Sequence, residues 1–258
     1  MAESAWHGHH RFYVETPLTV GAMVAVDALA RQLAGVLRLA PGARIILFDG
    51  GGSEHLAEIQ TLTTRQATTA IIAARPCRAD PLFFLTLFQC SLKQDKFEWV
   101  LQKGTELGVA RFAPVISSRS VVRPAAALRS KYPRWRAVLR EATEQCGRAR
   151  IPDLTEPLTW DAAMAMSDGP RLVAWEAAQE SRPLATAVAA LAESARADGV
   201  AARLSVAIGP EGGLADDEIA AARAHGWETV SLGPRILRAE TAAISAAAVV
   251  AALLDELR

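Results

Sequence analysis

From Pro81 onward the sequence alternates short apolar runs with stretches of helical spacing, and this alternation restricts the fold more than any other feature. Residues 81–87 are almost continuously apolar, the pattern of a strand buried on both faces. A helix is expected over 96–107, with Phe97, Val100, Leu101 and Leu107 on one side and Gly108 as its stop. The same reading gives strands at 112–116, 171–175, 204–208 and 229–232, and helices at 132–146, 184–197, 215–225 and 241–254. Strands separated by helices pair through crossovers, so residues 82–258 form an α/β domain with a mostly parallel sheet covered on both faces.

Residues 1–76 have a different texture. Strand-like runs at 11–14, 43–48, 56–59 and 68–73 surround one helical stretch at 20–39, which Pro41-Gly42 closes. The segment Arg75-Pro-Cys-Arg-Ala-Asp-Pro81 reads as the boundary between a small, mostly β domain and the α/β domain. Within the small domain Asp49-Gly50 lies between two strand-like runs, a hairpin signal; the threonine-rich residues 53–64 return as a strand, so this is not a cofactor loop opening a helix.

Composition excludes several classes. With 51% hydrophobic and 22% charged residues the chain is not disordered by composition. The longest uncharged apolar stretch, 241–254, is short of the roughly 20 residues that span a bilayer. No secretory leader precedes Arg11, and three cysteines without a C-x-x-C spacing read as free thiols, so a cytoplasmic location without membrane partners is expected. His7, His9 and His10 have no cysteine or carboxylate set beside them and read as a solvated terminus, not a metal site.

The net charge of zero conceals a segregation. Residues 81–150 carry 13 basic and 5 acidic side chains, while residues 151–258 carry 8 basic and 16 acidic ones. A localised positive surface suits a polyanion, and it equally suits a basic helix that pairs with the acidic third of its own chain.

Two further turns carry the chemistry. Val206-Ala-Ile-Gly-Pro-Glu-Gly-Gly-Leu214 runs from a buried strand into a loop where glycines bring backbone N–H groups close to a ligand. Ser231-Leu-Gly-Pro-Arg-Ile-Leu-Arg-Ala-Glu-Thr241 is again a strand, a rigid turn and an extended loop feeding the last helix. Open α/β sheets bind ligands beyond the carboxyl ends of their strands, so both loops are expected at adjacent strand ends, lining one crevice.

These residues, Gly209-Pro-Glu-Gly-Gly213 with Leu232-Gly-Pro-Arg-Ile-Leu-Arg-Ala-Glu-Thr-Ala242, resemble the cofactor signature of the SPOUT methyltransferases, and more narrowly of the RsmE-type uridine N3-methyltransferases of small-subunit ribosomal RNA. Arg11-Phe-Tyr-Val14, the blocks at 93–98 and 103–109, Ser118-Arg-Ser120 and Glu144-Gln-Cys-Gly-Arg-Ala-Arg-Ile-Pro152 match the same family in order, so the resemblance covers nearly the whole chain. It implies an N-terminal PUA-like β-barrel that binds RNA, a catalytic domain closed by a deep trefoil knot, a homodimer, and S-adenosylmethionine as methyl donor to N3 of a uridine in 16S ribosomal RNA, free or in the small subunit. A SPOUT enzyme acting on transfer RNA and a non-catalytic RNA-binding assembly factor are the alternatives.

By that resemblance Glu176 would meet the cofactor ribose, Gly209, Pro210, Glu211, Gly212 and Gly213 would pass beneath the cofactor, and Leu232, Gly233, Leu237, Arg238 and Thr241 would hold adenine. Arg238 is also the candidate catalytic cation, with Arg235 read as structural. RNA phosphates would meet Arg11, Arg119, Arg123, Arg134, Arg136, Arg140, Arg148 and Arg150. N3 methylation needs no covalent adduct, so Cys146 reads as a packing residue.

Overall fold

The computed structural model describes residues 6–93, 95–122, 124–166, 169–175 and 181–255. The chain divides into two compact units, one formed by Met1–Asp80 with Thr143–Ile151 and the other by Pro81–Ala142 with Pro152–Arg258.

The first unit is built on a five-stranded sheet of β1 (Arg11–Tyr13), β2 (Met23–Ala25), β3 (Arg44–Phe48), β4 (Ser53–Leu62) and β5 (Ala67–Pro76), in the order β1-β3-β4-β5-β2. Asp49 closes the β3–β4 hairpin by accepting the N–H groups of Gly51 and Leu18. Burial works to raise the Asp49 pKa, but these backbone hydrogen bonds outweigh it and hold the carboxyl below its ordinary value. The helix expected over 20–39 is shorter than the pattern suggested. Residues 23–25 pair with β5, and helical turns occupy Asp27–Leu29 and Gln32–Val36. The apolar residues before position 27 serve a strand, so tertiary pairing overrides the 3.6-residue spacing.

The segment 143–151, expected in the second domain, packs with the first. Glu144 accepts the Tyr13 N–H, the Arg11 guanidinium donates to the Arg148 carbonyl, and Asp80 accepts the N–H groups of Ala149 and Arg150. Nothing in the local periodicity of these residues carries that long-range pairing.

The second unit holds an eight-stranded sheet in which every pairing is parallel. Its strands are β6 (Phe84–Cys90), β7 (Val109–Ile116), β8 (Asp153–Leu154), β9 (Leu158–Thr159), β10 (Arg171–Ala174), β11 (Arg182–Pro183), β12 (Arg203–Ile208) and β13 (Glu228–Ser231). They run β11-β13-β10-β12-β6-β7-β8, with β9 also on β7. The helices are α1 (Lys96–Glu106), α2 (Ala125–Arg129), α3 (Tyr132–Cys146), α4 (Trp160–Ala165), α5 (Leu184–Asp198), α6 (Asp216–Ala224) and α7 (Ala239–Asp255). The central strands β6 and β12 are buried along almost their whole length, as their mostly apolar sequences require, with Thr86, Gln89 and Ser205 buried among them. Gly104 lets α1 lie directly on β7, because a Cβ there would come within 2.7 Å of the Phe112 ring.

The last helix is less enclosed than its uncharged sequence suggests. Ala243, Ala246, Ala247, Val250 and Leu254 are buried at helical spacing, whereas Ile244, Ser245, Ala248 and Val249 are half-buried. No helix among the described residues is long and apolar enough to cross a membrane.

Candidate functional site

Strands β13, β10 and β12 lie side by side and point the same way, so the loops leaving them emerge at one edge. The two glycine loops were expected at adjacent strand ends; β10 lies between them and adds a third wall through Ala174 and Trp175. Beyond β12 the chain turns tightly, with the Gly213 N–H donating to the Pro210 carbonyl at 3.0 Å and Gly213 at φ 70°. Beyond β13 the Gly233 N–H donates to the Ser231 hydroxyl at 3.1 Å with Gly233 at φ 107°, a conformation that L side chains rarely adopt. The loops enclose a cavity of 420 Å³.

Of the residues singled out in sequence, Gly209, Pro210, Glu211, Gly213, Leu232, Gly233, Leu237 and Arg238 line this cavity. Gly212 and Thr241 do not line it. Gly212 faces away, against Arg119, where a Cβ would sit 3.1 Å from the Arg119 Cβ and 3.2 Å from its carbonyl oxygen. Thr241 is exposed on the first turn of α7. Glu176 and Arg123 lie outside the described residues. Arg235, read as structural, lines the cavity together with Arg238.

The sequence reading missed Lys96 as a site residue, although it belongs to the 93–98 block. It lines the cavity from the start of α1, with its ammonium 3.4 Å from Glu211 and 3.4 Å from Glu240. Glu211, exposed, also accepts the Lys93 N–H at 3.2 Å. It therefore ties the glycine loop to the start of α1, while α6 begins only at Asp216.

The glycine loop is braced from behind. Buried Gln89 directs its amide toward the Gly209 carbonyl at 3.5 Å. Arg119 donates to the carbonyls of Gly212 (3.3 Å) and Leu214 (3.5 Å). The buried Glu218 carboxylate accepts the N–H groups of Ser118 at 2.7 Å and Ala215 at 2.9 Å, so one side chain joins the Ser118-Arg119-Ser120 turn to the start of α6. Ala215 has no side-chain oxygen to return that bond, so the cap is half of a capping box.

The arginines expected on RNA separate into distinct environments. Arg134, Arg136 and Arg140 are exposed on α3, although Arg134 also meets Glu98 at 3.1 Å. Arg150 is 64% exposed beside Asp80. Arg148 is 3% exposed and ion-paired with Asp80, and burial lowers its pKa. Arg11 is ion-paired with the buried carboxylate of Glu54, which Arg75 shares. In this conformation Arg148 and Arg11 brace the first unit: their guanidinium groups are spent on internal carboxylates, and a buried charge without such a partner costs several kcal/mol, on the order of 3–5. Arg119 is committed to the glycine loop as described. Cys146 is half-buried near the end of α3, and Cys90 is fully buried, where burial pushes its thiol up to about 12.

The comparisons with known proteins agree with this arrangement. A family model described as an RNA methyltransferase domain matches residues 79–251, and one described as an RNA methyltransferase PUA domain matches residues 33–72. The ribosomal RNA small subunit methyltransferase E of Mycobacterium bovis is 33% identical over 94% of this chain and 91% of its own length. That of Synechocystis is 32% identical over 88% of this chain and 72% of its own. A solved ribosomal RNA small subunit methyltransferase E from Neisseria gonorrhoeae, bound to S-adenosyl methionine, superposes with a TM-score of 0.81 at 31% identity, covering 95% of this chain and 98% of that one. With both units matched by family models and the similarity running through nearly the whole chain, this protein belongs to the ribosomal RNA small subunit methyltransferase E family.

Proposed function

We propose that the protein is an S-adenosylmethionine-dependent methyltransferase acting on N3 of a uridine in 16S ribosomal RNA. The observation that carries the reading is the convergence of three parallel strand ends on one cavity whose walls are glycine backbone and apolar side chains, with Lys96, Arg235 and Arg238 at its margins. The residues fit the cofactor: Ile208, Leu214, Leu232 and Leu237 offer an apolar slot for adenine, and the glycine turns leave backbone amides and carbonyls open to its polar edge. When bound, the cofactor supplies an electrophilic methyl group on a cationic sulfur.

The protein's own task is to make N3 a nucleophile. N3 carries a proton at neutral pH, so a residue must accept that proton or stabilise the anion shared with O2 and O4. A cation beside the base lowers that cost by about 1.4 kcal/mol for each unit by which it depresses the N3 pKa. Arg238 is assigned this role because it lines the cavity and is exposed on the loop entering α7. The exposed arginines Arg136 and Arg140, with Arg150, are assigned to the RNA backbone, whereas Arg134 on the same helix is paired with Glu98.

Three finer features belong to the same reading. The barrel closure of the first unit and the trefoil knot of the second are part of this reading, supported by the resemblance to the family. A homodimer is supported by the half-buried apolar side of α7, where Ile244, Ala248 and Val249 stand without charge. The cytoplasm is the compartment in which such an enzyme meets its RNA.

The test is nucleoside mass spectrometry of 16S ribosomal RNA incubated with the purified protein and deuterium-labelled cofactor. Labelled N3-methyluridine is expected, and label in any other nucleoside alone would overturn the assignment. Calorimetry with S-adenosylhomocysteine separates an enzyme from a binding module that keeps the fold.

A further inference from the structure

A second groove opens beside the first on the same unit. Its walls are the α1 residues Lys96, Glu98, Trp99 and Gln102, with Asp95 just before them, and the α3 residues Arg134, Val138 and Glu141; it measures 460 Å³. Lys96 lines both cavities, so the two share one wall residue. Trp99 is 51% exposed there, an unusual setting for an indole that could have been turned into a core. We propose that this groove seats the unstacked target uracil of the RNA, with its ring on the Trp99 indole and one carbonyl on the Lys96 ammonium. The proposal rests on the function assigned above.

Charge decides between a base and a phosphate. The lining has two cations, Lys96 and Arg134, against three carboxylates, Asp95, Glu98 and Glu141, and Arg134 is already engaged with Glu98 at 3.1 Å. A wall with an acidic surplus repels a phosphodiester and tolerates a neutral heterocycle. Uracil presents an acceptor, a donor and an acceptor along its pairing edge, and a site with ammonium, amide and carboxylate groups can answer all three. The indole adds a stacking face, which holds any base and is sequence-tolerant. Selectivity for uracil then falls to the polar groups.

Lys96 is placed for that purpose. Its ammonium stands between Glu211, on the cofactor-side loop, and Glu240, whose carboxylate is buried with its second oxygen lacking a hydrogen-bond partner. Two carboxylates at 3.4 Å hold the cation on the wall shared by both cavities, where it would meet a base approaching the methyl donor. Held there, Lys96 keeps an N–H donor to give to O2 or O4 of the base.

The experiment compares the wild-type protein with Trp99→Ala, Trp99→Phe and Lys96→Gln. Each is saturated with S-adenosylhomocysteine and titrated with a single-stranded RNA pentamer that carries one central uridine or one central cytidine. Stacking on an aromatic side chain predicts that Trp99→Ala weakens binding of the uridine pentamer about tenfold while Trp99→Phe largely restores it. Lys96→Gln should reduce the preference for uridine over cytidine. Calorimetry should find the S-adenosylhomocysteine affinity of Trp99→Ala within about twofold of wild type, which also certifies the fold; the margin is small beside the tenfold stacking effect. If that affinity holds and pentamer binding is unchanged in Trp99→Ala, the groove is not the base site. If sedimentation shows that Trp99→Ala turns a dimer into a monomer, the groove is a subunit contact and the proposal is overturned. If the wild-type protein fails to bind S-adenosylhomocysteine at all, the methyltransferase reading falls, and this one with it.

Discussion

Replacing Glu218 by alanine tests whether the glycine loop is held from behind. The carboxylate is buried and takes two backbone donors, Ser118 N–H at 2.7 Å and Ala215 N–H at 2.9 Å. A hydrogen bond to a charged acceptor contributes about 1.5–3 kcal/mol. Ser118 is exposed and its N–H can turn to water, so the lower part of the doubled range applies. A further few tenths of a kcal/mol, roughly 0.3–1, disappear with the negative charge at the start of α6. The expected loss is about 3–5 kcal/mol in the unfolding free energy from urea titration at pH 7, equivalent to a Tm drop on the order of 10 °C. Glu218→Gln keeps one acceptor oxygen and should lose about half as much. Because Ser118 and Ala215 flank the loop over 209–214, S-adenosylhomocysteine affinity should fall in Glu218→Ala even well below its Tm. A stability loss under about 1 kcal/mol would show that the two bonds are replaced by solvent and that the bracing argument is wrong.

Other consequences are as open to measurement. Arg119→Ala removes two donors to loop carbonyls at an exposed site; cofactor affinity should fall by roughly fivefold, about 1 kcal/mol, with a Tm close to wild type, and an unchanged affinity would return Arg119 to the RNA surface. Asp49 has a lowered folded pKa, so it contributes stability above its unfolded value near 3.8 and loses it as pH falls through the folded one. Asp49→Asn should therefore destabilise the first unit at pH 7 and matter progressively less in acid, seen as urea midpoints of variant and wild type that converge as pH falls below the unfolded value near 3.8. Cys90, fully buried with its thiol pushed up to about 12, should resist iodoacetamide at pH 8 in the native protein and react only on unfolding; mass mapping of native Cys90 as alkylated would refute its burial.

Local patterning determined a large part of this protein. Strands buried on both faces are mostly apolar and helices on a sheet are apolar on one side, so β6, β12, α1 and α3 are legible from residue order alone. Glycines at 209, 213 and 233 mark the cavity-lining turns for an equally local reason, since only their backbones bring N–H groups that close or take those φ values. What the tertiary structure decided concerns partners distant in sequence. Arginine periodicity cannot tell a phosphate contact from Arg148, sealed against Asp80, or Arg11, committed to Glu54. No spacing puts 143–151 with the first unit, moves Gly212 to the far side of its own loop, or sets Lys96 between Glu211 and Glu240. The fate of a charged side chain depends on which carboxylate the fold brings within about 4 Å, and that is a property of the packed chain rather than of its neighbours in sequence.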